Sequence, residues 1–170
     1  MNEFIELLKY TIPSIVTGGV AAYFFKQILA NESNKRKFNA FKEKKKQSLP
    51  IRLQAYERMT LFLERIELTN LLNRIEPLNS NKIEYAKLLI TQINAEFEHN
   101  LVQQIYISED SWKLIKNAKQ TTLNTITAHS MKEEINSGKE LQIALLKMSN
   151  SDSPTTIAQQ FIQQEVHQLF

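Results

Sequence analysis

Cysteine is absent from the 170-residue chain, which also has only three glycines and four prolines. The lack of cysteine excludes a disulfide framework and a thiolate-bound metal, and it fits a reducing compartment. Scarce glycine and proline leave few positions for tight turns. No run alternates between polar and apolar residues as a strand does, whereas apolar residues recur at helical spacing. The sequence therefore predicts an all-α protein.

Recognisable catalytic motifs are also missing: the chain has no glycine-rich phosphate loop and no His-Glu-x-x-His. Glu96 and His99 do form a Glu-x-x-His, which places a carboxylate and an imidazole on one helix face, as in di-iron bundles. Such sites need a second motif, and the other two histidines lack a glutamate three positions earlier. We expect no enzyme, no cofactor and no metal site, and a polar contact of His99 between helices. A carboxylate-metal enzyme is kept as an alternative.

The longest uncharged stretch lies near the N-terminus. Residues 10–25, YTIPSIVTGGVAAYFF, are flanked by Lys9 and Lys26. A bilayer crossing takes roughly 20 residues, but the two lysines can lay their stems along acyl chains and so lengthen the span. The stretch predicts a transmembrane anchor over residues 1–30. A buried helix of a soluble domain and a cleaved signal peptide are the alternatives, and the basic residues that follow oppose the second.

Small residues repeat along one face of this anchor. Ser14, Gly18 and Ala22 follow one another at intervals of four, a spacing that lets two transmembrane helices approach closely. Small residues are also common in membrane spans generally, so the pattern alone does not establish that two such helices associate. Self-association into a homo-oligomer is left open.

A basic segment follows the anchor. From Lys26 to Arg52 there are nine basic and two acidic residues, whereas the chain from residue 53 onward has a net charge of −3. The positive-inside rule then places the protein in the inner (cytoplasmic) membrane, with the N-terminus outside and the rest in the cytoplasm. Residues 31–49 are predicted to be a juxtamembrane helical stalk. The side chains expected to contact anionic lipid are Lys26, Lys35, Arg36, Lys37, Lys42, Lys44, Lys45 and Lys46.

Two aromatic residues stand among these lysines. Phe38 and Phe41 are at helical spacing, so their rings can rest on a bilayer. Basic residues mixed with aromatics can also bind nucleic acid, and a soluble helical nucleic-acid-binding protein that uses residues 35–46 is a second alternative. Because the basic run follows the anchor at once and the body adds no basic face, we expect the bilayer and not nucleic acid as its partner.

Residues 50–170 are predicted to form one bundle of four to five helices in the cytoplasm. Pro50 disfavours helical geometry at the residue before it, so a joint is expected at residues 46–50 and a first body helix from Pro50 to Ile75.

Later helix boundaries are marked by capping signals. Asn81, Ser108 and Ser153 are each followed by residues that suit a first helical turn, so each predicts a helix start. The helix that begins after Ser108 should reach about residue 136, and Gly138 should end it before a short fourth helix, unless the glycine lies inside one long helix. Trp112 is expected in the core.

Two segments of the body, 52–58 and 98–106, place polar residues directly beside apolar ones. Such residues can form an interhelical polar network that fixes helix register. They can also form a docking surface for another protein, where arginine and tyrosine are enriched. Both interpretations stay open for the set Arg52, Glu57, Arg58, His99, Asn100 and Gln104.

The strings LPIRLQAYERMTLFLERI at 49–66 and EFEHNLVQQIYISEDSW at 96–112 resemble an uncharacterised family of small membrane-anchored Bacteroidota proteins, known only as a domain of unknown function. The similarity covers most of the chain. It supports an anchor followed by a bundle and implies no activity, ligand or partner. Together the observations predict a non-catalytic single-pass inner-membrane protein whose cytoplasmic bundle is an adaptor or assembly component of a membrane complex, with a protein partner there.

Overall fold

The computed structural model describes residues 2–78, 81–148 and 153–169, except for the side chains of residues 2–14 and of Lys45. All regular structure in these ranges is helical, which confirms the all-α prediction. Contacts between residues divide the chain into two units, Met1–Ser48 and Leu49–Phe170. The helices are α1 Asn2–Ile66, α2 Leu68–Arg74, α3 Lys82–Asn100, α4 Glu109–Ser130, α5 Gly138–Leu146 and α6 Pro154–His167, with a 3₁₀ turn at Leu101–Ile105.

The first unit consists of the N-terminal part of α1. Its described side chains, from Ile15 to Ser48, are all exposed, including the phenyl groups of Phe24 and Phe25. Within the described residues, no helix contains a stretch that is long and apolar enough to cross a bilayer. This finding does not support the transmembrane anchor predicted over residues 1–30.

The helical break predicted before Pro50 does not occur, because α1 continues through Pro50 without interruption. The division between the two units, after Ser48, lies within the predicted joint at residues 46–50. A proline inside a helix lacks one N–H donor and costs about 3 kcal/mol relative to alanine, which weakens a helix without forbidding it. The residues on both sides of Pro50, from Lys46 to Glu57, are mostly lysine, glutamine, leucine, arginine and alanine, all strong helix formers. These neighbours add little cost of their own, which favours continuation of the helix through the proline.

The first body helix was predicted to reach Ile75, and this is also wrong, since α1 ends at Ile66. Glu67 has extended backbone angles, φ −56° and ψ 133°, and its carboxylate accepts a hydrogen bond from the N–H of Asn70. Glu67 therefore caps a new short helix, α2. The change of direction brings Leu71 and Leu72 into the core, where both are fully buried.

Side chains from α3 and α5 satisfy carbonyl groups near the end of α2. The hydroxyl of Tyr85 donates to the carbonyl of Ile75 at 2.7 Å, and Nε2 of Gln142 donates to the carbonyl of Leu72 at 2.9 Å. Burial is the main cause that raises the pKa of Tyr85 to about 12, followed by the charge of Glu76. Carbonyls at the end of a short helix otherwise lack intrahelical partners, so these bonds fix α2 in place.

The predicted starts of α3, α4 and α6 are confirmed, because in each the side-chain oxygen of the cap accepts a backbone N–H of the first turn: Asn81, Ser108 and Ser153. The prediction that Gly138 ends a helix is wrong. α4 already ends at Ser130, and Gly138 is the first residue of α5. Ser137 accepts the N–H of Glu140, whose carboxylate accepts the N–H of Asn136. This arrangement, close to a capping box, outweighs the stop signal of the glycine.

The second unit contains one apolar core, built by α2–α6 and the last part of α1. It has six helical segments in the described residues, against the four to five predicted. α4 contacts α3, α5 and α6. Trp112, predicted to lie in the core, is half-buried and stacks on Phe97 at a ring distance of 5.3 Å, and Phe97 lies 5.6 Å from Phe62. This aromatic row connects α4, α3 and α1.

Replacing Leu63 with alanine should lower the free energy of unfolding by about 2–5 kcal/mol, since Leu63 is fully buried and the change leaves a cavity. Leu61→Ala is the matched control on the same helix, because Leu61 is 49 % exposed and its loss should cost under about 1 kcal/mol. Urea unfolding followed by the fluorescence of Trp112, the only tryptophan, measures both. Equal losses would contradict the assignment of this face of α1 to the core.

Candidate functional site

A groove between α1 and α3 contains four of the six residues predicted to form a polar network or a docking surface. Its volume is about 300 Å³. Positions three and four apart share a helix face, so the sequence of α1 from residue 54 to residue 65 supplies one wall and the end of α3 the other. The lining residues are Gln54, Glu57, Arg58, Leu61, Phe62, Arg65, Glu96, His99 and Asn100.

Four of the six residues predicted to form a polar network or a docking surface line this groove: Glu57, Arg58, His99 and Asn100. The first three are exposed. Asn100 is buried, and its Nδ2 donates to the carbonyl of Glu96 at 2.8 Å. The predicted hydrogen-bonded contact of His99 between helices does not occur among the described residues, where the imidazole faces the groove.

Arg52 and Gln104, the other two members of the set, do not line the groove. Nε of Arg52 donates to the carbonyl of Tyr106 at 3.3 Å, and Gln104 is exposed in the 3₁₀ turn. In the part of the chain that the structure describes, no hydrogen bond connects any two of the six side chains. The set is therefore divided between the groove and the 3₁₀ turn.

An ion pair that the sequence analysis did not propose crosses the groove. Nη1 of Arg65 lies 3.0 Å from each carboxylate oxygen of Glu96. The pair holds the carboxylate of Glu96 toward Arg65 on α1. No group of three or more potential metal ligands occurs among the described residues.

The charge balance of the groove follows from this pair. Arg65 and Glu96 neutralise each other. The other two charged lining residues, Glu57 and Arg58, are exposed and make no ion pair within the described ranges. Leu61 lies between the two arginines and is 49 % exposed. Arg58, Leu61 and Arg65 follow one another at intervals of three and four residues, and this spacing could have indicated from the sequence that they share one face of α1.

The predicted lipid-contacting residues lie in the first unit. All described members are exposed: Lys26, Lys35, Arg36, Lys37, Lys42, Lys44 and Lys46. The side chain of Lys45 lies outside the described residues, and so does that of Ser14 from the small-residue stripe. Gly18 and Ala22 are exposed, and a methyl group added at Gly18 would meet no atom within 4 Å.

A carboxylate near the C-terminus forms a second polar cluster. Glu165 of α6 accepts hydrogen bonds from the hydroxyls of Tyr56 and Ser108, each at 2.7 Å, and from the hydroxyl of Ser111. Burial alone would raise the pKa of Glu165, but these three hydrogen bonds and the charge of Arg52 outweigh burial and hold the pKa below its ordinary value. All three donors hold the carboxylate in place, which indicates a structural role.

Acid should weaken the fold through Glu165. Its pKa is lower in the folded than in the unfolded chain, so its contribution to stability is complete above the ordinary pKa of glutamate and is lost as the pH falls through the lower folded value. Glu165→Gln should lower the free energy of unfolding at neutral pH and flatten its acid dependence. Glu133→Gln, at an exposed position, is the control. An unchanged pH profile in Glu165→Gln would contradict the role of this carboxylate.

Comparisons with curated proteins and with solved structures find no match. The profile of one protein family matches residues 2–169. The predicted relation to a family of unknown function is thereby confirmed, and the match assigns no activity, ligand, membrane or source organism. The chain belongs to the family of unknown function DUF7935.

Proposed function

We propose that this protein is a non-catalytic membrane protein, anchored by its N-terminal helix, whose second unit binds another protein as an adaptor or assembly component. The observation that carries the proposal is the exposure of large apolar side chains in α1 before residue 30. Ile15 is 73 % exposed, Phe25 68 % and Leu29 63 %. Soluble proteins rarely expose contiguous apolar surface of this kind unless a membrane or a partner covers it.

The apolar residues surround the helix instead of following one side. Val16 and Phe25 are about two and a half helical turns apart and so lie on opposite faces. A helix that is apolar on all sides suits lipid, whereas a partner protein needs only one apolar stripe. The uncharged sequence begins at Tyr10, before the first described side chain, so the proposed span includes residues outside the described side chains. The basic residues after it orient the second unit to the cytoplasm.

The full chain should stay in the membrane pellet after a carbonate wash. Val20→Arg should release it or make it aggregate, because an arginine near the bilayer centre costs about 3 kcal/mol in a span that is already short. Asn39→Arg adds the same charge outside the span and should leave the protein in the pellet. Immunoblots of pellet and supernatant measure the distribution. Release of the unmodified protein would contradict anchorage.

The groove between α1 and α3 is the proposed binding surface for the partner protein. Arg58 offers a positive charge without an ion pair in the described residues, and Leu61 offers an exposed aliphatic group beside it. Charged and apolar groups of this kind are complementary to a segment that presents an acidic residue next to an aliphatic one. The partner we infer is a protein with such a segment.

A photo-crosslinking residue at Gln54, on the wall of the groove, tests this surface in native membranes. We expect a discrete adduct that disappears in Arg58→Glu, because charge reversal places two acidic groups opposite each other. The same residue at Met131, which is exposed outside the groove, is the control and should give no such adduct. An adduct at Gln54 that persists in Arg58→Glu would remove the groove from the proposal.

A further inference from the structure

We propose that residues 35–46 of α1 bind an anionic lipid surface through one face, whose centre is formed by Phe38 and Phe41. The two phenyl groups are 66 % and 69 % exposed. This inference rests on the proposed membrane anchorage and names the surface against which the segment lies. Exposed phenyl groups in a lysine-rich helix are costly in water and favourable at the boundary between head groups and acyl chains.

The helical register places lysines on both sides of the two phenyl groups. α1 is helical throughout this segment, so each residue advances about 100° around the axis. Phe38 and Phe41 are three residues apart and share a face. Lys42 follows Phe38 by four residues and Lys37 precedes Phe41 by four, so one lysine borders each side of the pair. All four side chains are exposed.

The acidic residue of the segment, Glu43, and the one just before it, Glu32, lie on the opposite face. Glu32, Arg36, Asn39 and Glu43 follow one another at intervals of four, three and four and form one stripe. Arg36 lies 3.0 Å from Glu32, so its charge is neutralised within that stripe. The two glutamates are the only acidic residues from Lys26 to Arg52. The face with the phenyl groups therefore carries only positive charge.

Anionic lipid matches both components of this face. Phosphate head groups attract the lysines, and acyl chains receive the phenyl groups. Nucleic acid also offers phosphates and stacking surfaces. Lipid is favoured because the same helix leads directly from the stretch that we propose to be inserted, which keeps the basic face close to a bilayer.

Fluorescent labels on single cysteines can test this face in the full chain, which has no cysteine of its own. Asn34 precedes Phe38 by four residues and shares its face, whereas Asn39 lies in the acidic stripe. The full-length protein with an environment-sensitive label at Asn34→Cys or at Asn39→Cys is reconstituted in vesicles of phosphatidylcholine, alone or mixed with phosphatidylglycerol. A label at Val20→Cys reports separately on anchorage.

We expect the emission of the Asn34 label to shift to the blue only in vesicles that contain phosphatidylglycerol, and the Asn39 label to stay aqueous in both. Lys37→Gln and Lys42→Gln should each weaken this contact about fivefold, the effect of one basic residue at an anionic surface. Arg36→Gln removes the same charge from the opposite face, next to Lys37, and should have a much smaller effect.

An aqueous Asn34 label in anionic vesicles would overturn the inference, and with a Val20 label in lipid the anchorage would still stand. A blue-shifted Asn34 label with an aqueous Val20 label would support the lipid face and overturn the anchorage. Single-stranded RNA that shifts the Asn34 label in neutral vesicles, and that depends on Lys37 and Lys42, would replace lipid with nucleic acid.

Discussion

The arrangement of α1, α4 and α6 depends on the hydrogen bonds that the carboxylate of Glu165 accepts. A partly buried carboxylate is stable only if hydrogen bonds replace water, and here the donors come from Tyr56 on α1 and from Ser108 and Ser111 at the start of α4. Ser108 also caps α4, so the negative charge lies at the positive end of that helix dipole. α6 supplies the carboxylate, and α1 and the start of α4 supply the donors. The charge is fully hydrogen-bonded only when all three helices are in place, which makes their docking cooperative.

The groove owes its shape to a different contact, between α1 and α3. Phe62 faces the core from α1 and meets Phe97 of α3, and this contact sets the spacing between the two helices. The residues that follow on the outer side of α1 then face the gap, where Arg65 reaches Glu96 across it. A surface placed on two packed helices is held more rigidly than one on loops.

The sequence predicted the features that depend on neighbouring residues, such as helix caps. It did not predict features for which two local signals competed, or contacts between residues far apart in the chain. Side-chain caps act within one turn, so Asn81 and Ser153 could be identified as helix starts. At Gly138 a stop signal competed with the Ser-x-x-Glu that begins α5, and only the weaker of the two was recognised. Glu165 and Tyr56 are 109 residues apart in the chain, and no sequence pattern indicates a hydrogen bond at that separation. For the groove, the spacing of Arg58, Leu61 and Arg65 on α1 is evident from the sequence. The ion pair between Arg65 and Glu96 is not, because it depends on how α1 and α3 pack.

One helix, α1, carries three distributions of apolar residues in succession, and each distribution suits a different surrounding. Around residues 15–29 the apolar side chains face all directions, which suits the interior of a bilayer. At Phe38 and Phe41 they narrow to one face bordered by lysines, which suits the surface of a bilayer. From Ala55 to Ile66 they form a buried stripe against α3 and α6, with the other side charged. The placement of apolar residues around the axis therefore distinguishes the three parts, and it is the common basis of the proposed anchor, the proposed lipid-facing surface and the observed core.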